Sequence, residues 1–421
     1  MNLFKRLLKW SIIISLLYFV FTTLYFGYDD IDANKGMYKF YWSGLRGIWE
    51  KNRDFGFKVN KVVPTHLDGV DGPYVVNDSV FYTNEYNEFY RQKYVKGKPI
   101  IVRTESPHLN EFSVRIKDSI TIENDTYEMP EKLIAISDIE GNFDALYSFL
   151  FSNKVIDKHG NWIFGNGHVV FNGDFMDRGK QVTQVLWLIY SLEHQAETHG
   201  GKVHFILGNH EVMNMYGDVS YNDFKYIEVA KRVSKKDDWD KSLQYLYSAQ
   251  SELGKWLRTK NIVEKIGDFI FVHGGLNLNH VKKNYTISEF NTVARRYYGI
   301  TPDNYGVGFK DHEYIINATE SPYWDRRLNL DLKYMIMYRL SGMNVEPITT
   351  DELEKILSFY KASRMVIGHS VVDDIKQDYE NKVIKIDVKH GRDFATGQTK
   401  GLLVDKGKLY KIDDLGQKQR L

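Results

Sequence analysis

Gly173-Asp-Phe-Met-Asp-Arg-Gly179 follows the apolar run Val169-Val170-Phe171, and this junction decides the fold. Two other apolar runs end the same way. Leu133-Ile134-Ala135-Ile136 leads to Asp138-Ile-Glu-Gly-Asn142, and Val203-His204-Phe205-Ile206-Leu207 leads to Gly208-Asn-His-Glu211. Short apolar runs cut off by Asp, Asn or Gly are buried strands that deliver polar side chains at the carboxyl edge of a mostly parallel sheet. Phe269-Ile-Phe-Val272 before His273-Gly-Gly275 and Val366-Ile367-Gly368-His369 repeat the pattern with histidines.

Helical periodicity follows the first two ligand loops, over Phe143–Phe151 and Gln181–Leu192, so the helix amino ends and their partial positive charge face the loops. The succession of strand, ligand loop and helix predicts a layered α/β body: a β-sandwich flanked by helices over 130–421. Residues 216–261 are polar and helical in pattern, with Trp239, Leu243, Leu246, Tyr247, Leu253, Trp256 and Leu257 inward, and predict a helical cap. Val383–Val388, Gly401–Val404 and Leu409–Ile412 read as terminal antiparallel strands.

Upstream, residues 34–129 predict an aromatic, basic juxtamembrane segment and a small β-rich module. Turn signals at Asp68-Gly69 and Asp71-Gly72-Pro73 separate its short strands. Tyr82, Tyr86, Phe89 and Tyr90 are core residues of this module or line a groove. Residues 1–33 read as a cytoplasmic stub and transmembrane anchor: Lys5, Arg6 and Lys9 precede the uncharged run Trp10–Phe26, about the length a bilayer needs. That reading makes the membrane a partner and places the catalytic domain outside the cytoplasm.

With 421 residues there is room for one large core and a smaller module. The formal charge of +1 gives no pull towards nucleic acid, and none is expected as a partner. The absence of cysteine excludes disulfides, thiolate ligands and thiol nucleophiles. Oligomeric state is not legible.

Asp138, Asp174, Asn209, His273 and His369 offer oxygen and imidazole nitrogen donors without sulfur. That set suits divalent Mn, Fe, Zn or Mg in a catalytic centre better than structural zinc. In a two-metal site a bridging carboxylate, for which Asp174 is the candidate, brings the ions together to polarise a phosphoryl oxygen and turn a water into hydroxide. His210 is placed to be the general acid, Asp177 to hold its tautomer, and Arg178 to fork onto phosphate. Taken singly, each of these residues has a plainer reading as a helix cap, turn or packing residue.

In this order and spacing, Gly-Asp-x-x-Asp-Arg-Gly, Gly-Asn-His-Glu and His-Gly-Gly resemble the calcineurin-like metallophosphoesterases, and within them the serine/threonine phosphoprotein phosphatase branch. Ser321-Pro-Tyr-Trp-Asp-Arg326 resembles the Pro-x-Trp-x-Arg segment of the bacterial, Shewanella-like members. The resemblance implies one metal held by Asp138, Glu140 and Asp174, and a second held by Asp174, Asn209, His273 and His369. It also implies manganese as the leading metal, His210 with Asp177 as proton donor, and Arg178 with Arg326 as phosphate ligands, with Arg327 as an alternative to Arg326.

The family has Asp-x-His-Gly where this chain has Asp138-Ile139-Glu140-Gly141. Either Glu140 ligates and hardens the first site, or that metal is weakly held. The expected activity is phosphomonoester hydrolysis on a phosphoprotein or a small phosphoester. The alternatives are dinucleoside polyphosphate or phosphodiester hydrolysis, and a non-catalytic envelope binding protein.

Overall fold

The computed structural model describes residues 2–32, 36–42, 57–306 and 308–421. Two six-stranded sheets form its centre. In the first, strands Lys202–Ile206, His168–Asn172 and Lys132–Ile136 run parallel. Lys400–Asp405, Lys408–Asp413 and Lys418–Arg420 continue it antiparallel. In the second, the order is Lys376–Asp378, Val383–Lys385, Arg364–Ile367, Phe269–Val272, Val263–Ile266 and Thr126–Tyr127. Val383–Lys385 pairs in parallel with Arg364–Ile367, not with the terminal hairpin as its position in the chain implied.

Alternation within the strands divides the interior. Leu133, Ala135, Val170, Ile206 and Leu402 face Phe271, Val366 and Ile384 between the sheets, while Ile134, Ile136, Val169, Phe171 and Val203 face the helices. Burying each such side chain stabilises the fold by about 1.5–3 kcal/mol. Helix Val182–Thr198 is buried along nearly its whole length, because one flank meets strand Lys202–Ile206 and another meets the N-terminal strands.

Those N-terminal strands form a three-stranded sheet, Asp71–Val76, Ser79–Thr83 and Phe89–Lys93, and a two-stranded sheet, Ile100–Arg103 with Glu111–Val114. Tyr74, Val76, Val102 and Val114 join the same hydrophobic cluster as Trp187 and Leu188. Tyr82 and Phe89 pack against that cluster, whereas Tyr86 and Tyr90 are exposed.

Within 216–261 lie helices Phe224–Ser234, Trp239–Leu246 and Glu252–Leu257, started by Asp223, Asp238 and Ser251, each of which accepts a hydrogen bond from a first-turn backbone N–H. The seven residues expected to point inward are buried.

The N-terminal anchor is not supported. Among the described residues no helix is long and apolar enough to cross a membrane. Helix Asn2–Phe26 carries Lys5, Arg6 and Lys9 in its first turns, and Ser11, Ser15, Thr22 and Thr23 dilute its apolar run. Its last turns meet a small sheet: Trp42 Nε1 donates to Thr22 Oγ1 at 3.1 Å, and the Trp42 ring lies 5.4 Å from that of Phe19. The membrane as partner and a single-pass extracytoplasmic placement are withdrawn with the anchor. Tyr38 and Trp42 belong to strand Met37–Trp42, and Tyr38 packs against the cluster of Val63, Ile227 and Trp239. Trp49, a further aromatic residue of the expected juxtamembrane segment, lies outside the described residues.

Candidate active site

Facing edges of the two sheets supply every ligand loop. Asp138, Asp174 and Asn209 follow strands of the first sheet, and His273 and His369 follow strands of the second. Asp138, Glu140, Asp174, Asp177, Arg178 and His369 all have positive φ, between +50° and +71°. Non-glycine residues rarely adopt that conformation, so the loops persist only because their neighbours hold them.

Backbone bonds join the first two loops: Asp138 N–H donates to Gly173 O at 2.9 Å and Glu140 N–H to Asp174 O at 3.0 Å. The buried Glu211 carboxylate accepts from the N–H groups of Asp174, Phe175, Met176 and Gly208 at 2.8–3.2 Å, locking the second and third loops together. The approach is close. A Cβ on Gly173 would lie 2.4 Å from His273 Nδ1, and one on Gly368 2.6 Å from Asp138 Oδ2.

Asp174, His273 and His369 are buried, with one ligand atom each within 4.8 Å of the others. His273 Nδ1–H donates to Asn172 O at 2.9 Å, which turns Nε2 towards Asp174 Oδ2, 3.0 Å away. That Nε2, His369 Nε2 and Asn209 Oδ1 are buried without an aligned hydrogen-bond partner. Buried polar atoms are rarely left so, and convergent orphans of this donor type fit a divalent cation.

Electrostatics agree. Burial opposes ionisation of Asp174, but the imidazoles of His273 and His210 hold it well below the usual carboxylate range. Burial also opposes a charge on His273, yet Asp174 and Asp138 push it up to about 10. Burial, reinforced by Arg326 and His273, keeps His369 well below its ordinary value and hence neutral. The pocket calls for positive charge.

His210 Nε2 lies 3.7 Å from Asp174 Oδ2, its Nδ1 lies 2.6 Å from Asp177 Oδ2, and Asn214 Nδ2 donates to Asp177 Oδ1 at 2.8 Å. Asn222 adds a second bond to the same oxygen. Burial works against a charged His210, but Asp174 and the hydrogen-bonded Asp177 raise it above the ordinary histidine value. Its ring meets Tyr221 edge-on at 4.9 Å, and the Arg178 guanidinium sits over the same tyrosine at 5.4 Å. Arg326 Nη1 donates to His369 O at 2.7 Å and Ser370 Oγ at 2.9 Å, and its guanidinium stacks on Tyr334 at 4.1 Å.

A cavity of about 440 Å³ is lined by Asp138, Glu140, Asp174, Arg178, Asn209, His210, Arg326 and His369. His273 lies fully buried beneath it, and Asp177 is buried behind His210. Glu140 stands apart from the ligand cluster, ion-paired with Arg178. Arg327 instead pairs with Glu320 and Asp325. His168 and His204 bond each other, and His204 also bonds Glu264, away from the cavity.

Tyr221, Asn214, Asn222, Tyr334 and Asp387 escaped sequence reasoning. Asp387 carried one signal, a lone carboxylate inside the apolar run Val383–Val388. Burial and the charges of Asp138 and Asp174 push its carboxyl well above the usual range.

Residues 131–373 match the calcineurin-like phosphoesterase family model. The chain belongs to the calcineurin-like phosphoesterases. Fold and metal-ligand cluster together make this phosphoesterase a hydrolase of the metallophosphoesterase type. It is similar to the cold-active protein-tyrosine phosphatase of a psychrophilic Shewanella species, with 29% identity, 84% of this chain and 99% of that chain covered, and a TM-score of 0.70. It is 26% identical over 312 residues to Shewanella-like protein phosphatase 2 of Arabidopsis thaliana, covering 64% of this chain and 74% of that protein. Against Shewanella-like protein phosphatase 1 of Plasmodium berghei the identity is 28% over 57% of this chain, and the match spans only 61% of that protein's length.

Proposed function

We propose that this phosphoesterase is a dinuclear phosphomonoesterase acting on phosphorylated protein or a small phosphate monoester, with His210 as general acid. The observation that carries the reading is the pairing of a histidine held by a buried carboxylate with the buried cluster of potential metal-ligand atoms of Asp174, His273 and His369 beside it. The Shewanella relative, whose title names a protein-tyrosine phosphatase, supports a monoester of protein as substrate class.

Asp174, Asn209, His273 and His369 would hold one divalent cation, and Asp138 with Asp174 the carboxylate side of another, with manganese the leading candidate. Such cations supply Lewis acidity, polarising phosphoryl oxygens and lowering the pKa of the attacking water. The chain's own side chains do the rest. Arg178 and Arg326 bind the non-bridging phosphate oxygens, and the stack on Tyr334 sets the plane of the Arg326 fork. Asp177 accepts from His210 Nδ1–H and fixes the tautomer, so that Nε2–H delivers its proton to the leaving oxygen. Phosphate entering the cavity takes the place of Glu140 on Arg178.

A metal-by-substrate panel tests the reading. Purified chain loaded with Mn, Mg, Zn or no metal is assayed on phosphoserine, phosphothreonine and phosphotyrosine peptides, a dinucleoside polyphosphate and an aryl diester. Metal-dependent release of inorganic phosphate from the monoesters alone supports it. Preference for the polyphosphate or the diester contradicts it.

A further inference from the structure

We propose that Asp387, and not Glu140, completes the first cation site beside Asp138 and Asp174. The inference rests on the dinuclear reading above, and four observations carry it.

First, the residue at the family's histidine position is already engaged. Glu140 lies at the rim with its carboxylate on the Arg178 guanidinium, and its side chain retains 22% exposure. A carboxylate neutralised by an arginine is a poor partner for a cation.

Second, Asp387 has the opposite circumstances. It lines the same cavity as Asp138 and Asp174 and is 3% exposed. Among the described residues its carboxylate has no hydrogen-bond or ion-pair partner. A buried carboxylate without a donor is costly unless something positive completes it.

Third, the backbone fixes its aim. Ile386 N–H donates to Ile367 O at 2.9 Å and Val372 N–H to Asp387 O at 2.8 Å, so this stretch is stitched to the segment that carries His369. Side chains alternate along an extended chain. Ile384, Ile386 and Val388 enter the core between the sheets, which leaves Asp387 on the opposite face with Lys385. That face belongs to Asn329 and the cavity, since Lys385 Nζ donates to Asn329 Oδ1 and Asn329 is itself a lining residue.

Fourth, Asp138, Asp174 and Asp387 are all buried and line one cavity. Desolvated like charges repel, and a divalent ion with oxygen ligands is the species that offsets this.

The consequence is an asymmetric pair. The first site becomes all-oxygen and hard, suited to Mn or Mg over Zn, while the second keeps two imidazoles. Loss of the family histidine is thereby compensated from the segment just past strand Val383–Lys385, where no motif marks it.

The test is metal binding to the full chain, read by calorimetric titration of the metal-free protein with MnCl2 and by elemental analysis after desalting. Wild type is expected to bind two ions. Asp387→Asn is expected to keep the imidazole site and to bind the other ion about 100-fold more weakly, whereas Glu140→Gln keeps both. Because the metal-free Asp387 has no partner to lose, the metal-free Asp387→Asn protein is expected to melt no lower than wild type. Two ions at unchanged affinity in Asp387→Asn, loss of an ion in Glu140→Gln, or a lower metal-free melting temperature in Asp387→Asn overturns the proposal. Fewer than two ions in wild type overturns the dinuclear reading and this proposal together.

Discussion

His210 Nδ1 and Asp177 Oδ2 are 2.6 Å apart, both buried, and the bond between them joins the helix that begins at Asn209 to the loop that carries Arg178. A histidine so held has its ring orientation fixed, and its Nε2 faces Arg178 Nη2 at 3.4 Å and Asp174 Oδ2 at 3.7 Å.

The pH profile is the first consequence. Asp174 and Asp177 raise His210 above its ordinary value, so the general acid stays protonated further into the alkaline range than a free imidazole would. Asp177→Asn removes part of that support. Its alkaline limb of kcat/KM on an aryl phosphate is expected to move to lower pH, with kcat down by about 10–100-fold. A limb at the wild-type position would remove Asp177 from this role.

Arg326 is fixed at one nitrogen and stacked on Tyr334. Arg326→Ala removes a charge-assisted contact to phosphate, worth about 1.5–3 kcal/mol, so KM and the inhibition constant for inorganic phosphate are expected to rise about 10–100-fold. Tyr334→Ala is expected to raise KM less, because the fork is loosened but still present.

Stability rests partly on an ion network distant from the cavity. Lys260, 1% exposed, contacts Glu193 at 2.6 Å and also Glu123, and Glu193 in turn bonds Lys117 and the Trp256 indole. Lys260→Met removes the cation that Glu193 and Glu123 share, leaving them to Lys117 and Lys202, and is expected to cost about 1.5–3 kcal/mol in chemical unfolding. Burial opposes ionisation of Glu193, but Lys260 and Lys117 outweigh it and hold the carboxyl at about 2, against 4.5 for an ordinary glutamate. A carboxyl depressed on folding contributes stability that is present above its unfolded pKa. That contribution is lost as pH falls from about 4.5 towards 2, so the wild-type melting temperature is expected to drop across this window and that of Lys260→Met to drop less.

Glu211 accepts four backbone N–H groups from two ligand loops. Glu211→Ala strands those donors at about 1–3 kcal/mol each. Calorimetry is expected to show a large fall in melting temperature, and the metal affinity of the folded fraction is expected to fall with it.

The parts of this architecture that are legible in the sequence are those written locally. A strand ending in Asp138 or Asp174, and a helix beginning at Phe143 or Val182, each follow from a few adjacent residues, and so does the layered α/β body they form. Non-local relations are not written that way. Glu140 and Arg178 each have a separate assignment in the sequence, and only the structure brings their charges together. Tyr334 and Asp387 belong to no motif, and reach the cavity because a helix and a strand far along the chain end beside it. Val383–Lys385 joins the other sheet because Arg364–Ile367 offers a parallel edge, which chain order does not reveal. Over residues 1–33 hydropathy and flanking cations alone point to an anchor, whereas Thr22, Phe19 and Trp42 engage one another in the fold.

The central claim is that His210 transfers the proton while other residues hold the cations. His210→Asn, assayed on an aryl phosphate with bound manganese measured in the same preparation, tests it most directly. Turnover is expected to fall at least about 100-fold with metal content unchanged. Turnover near the wild-type level with metal intact would contradict the account.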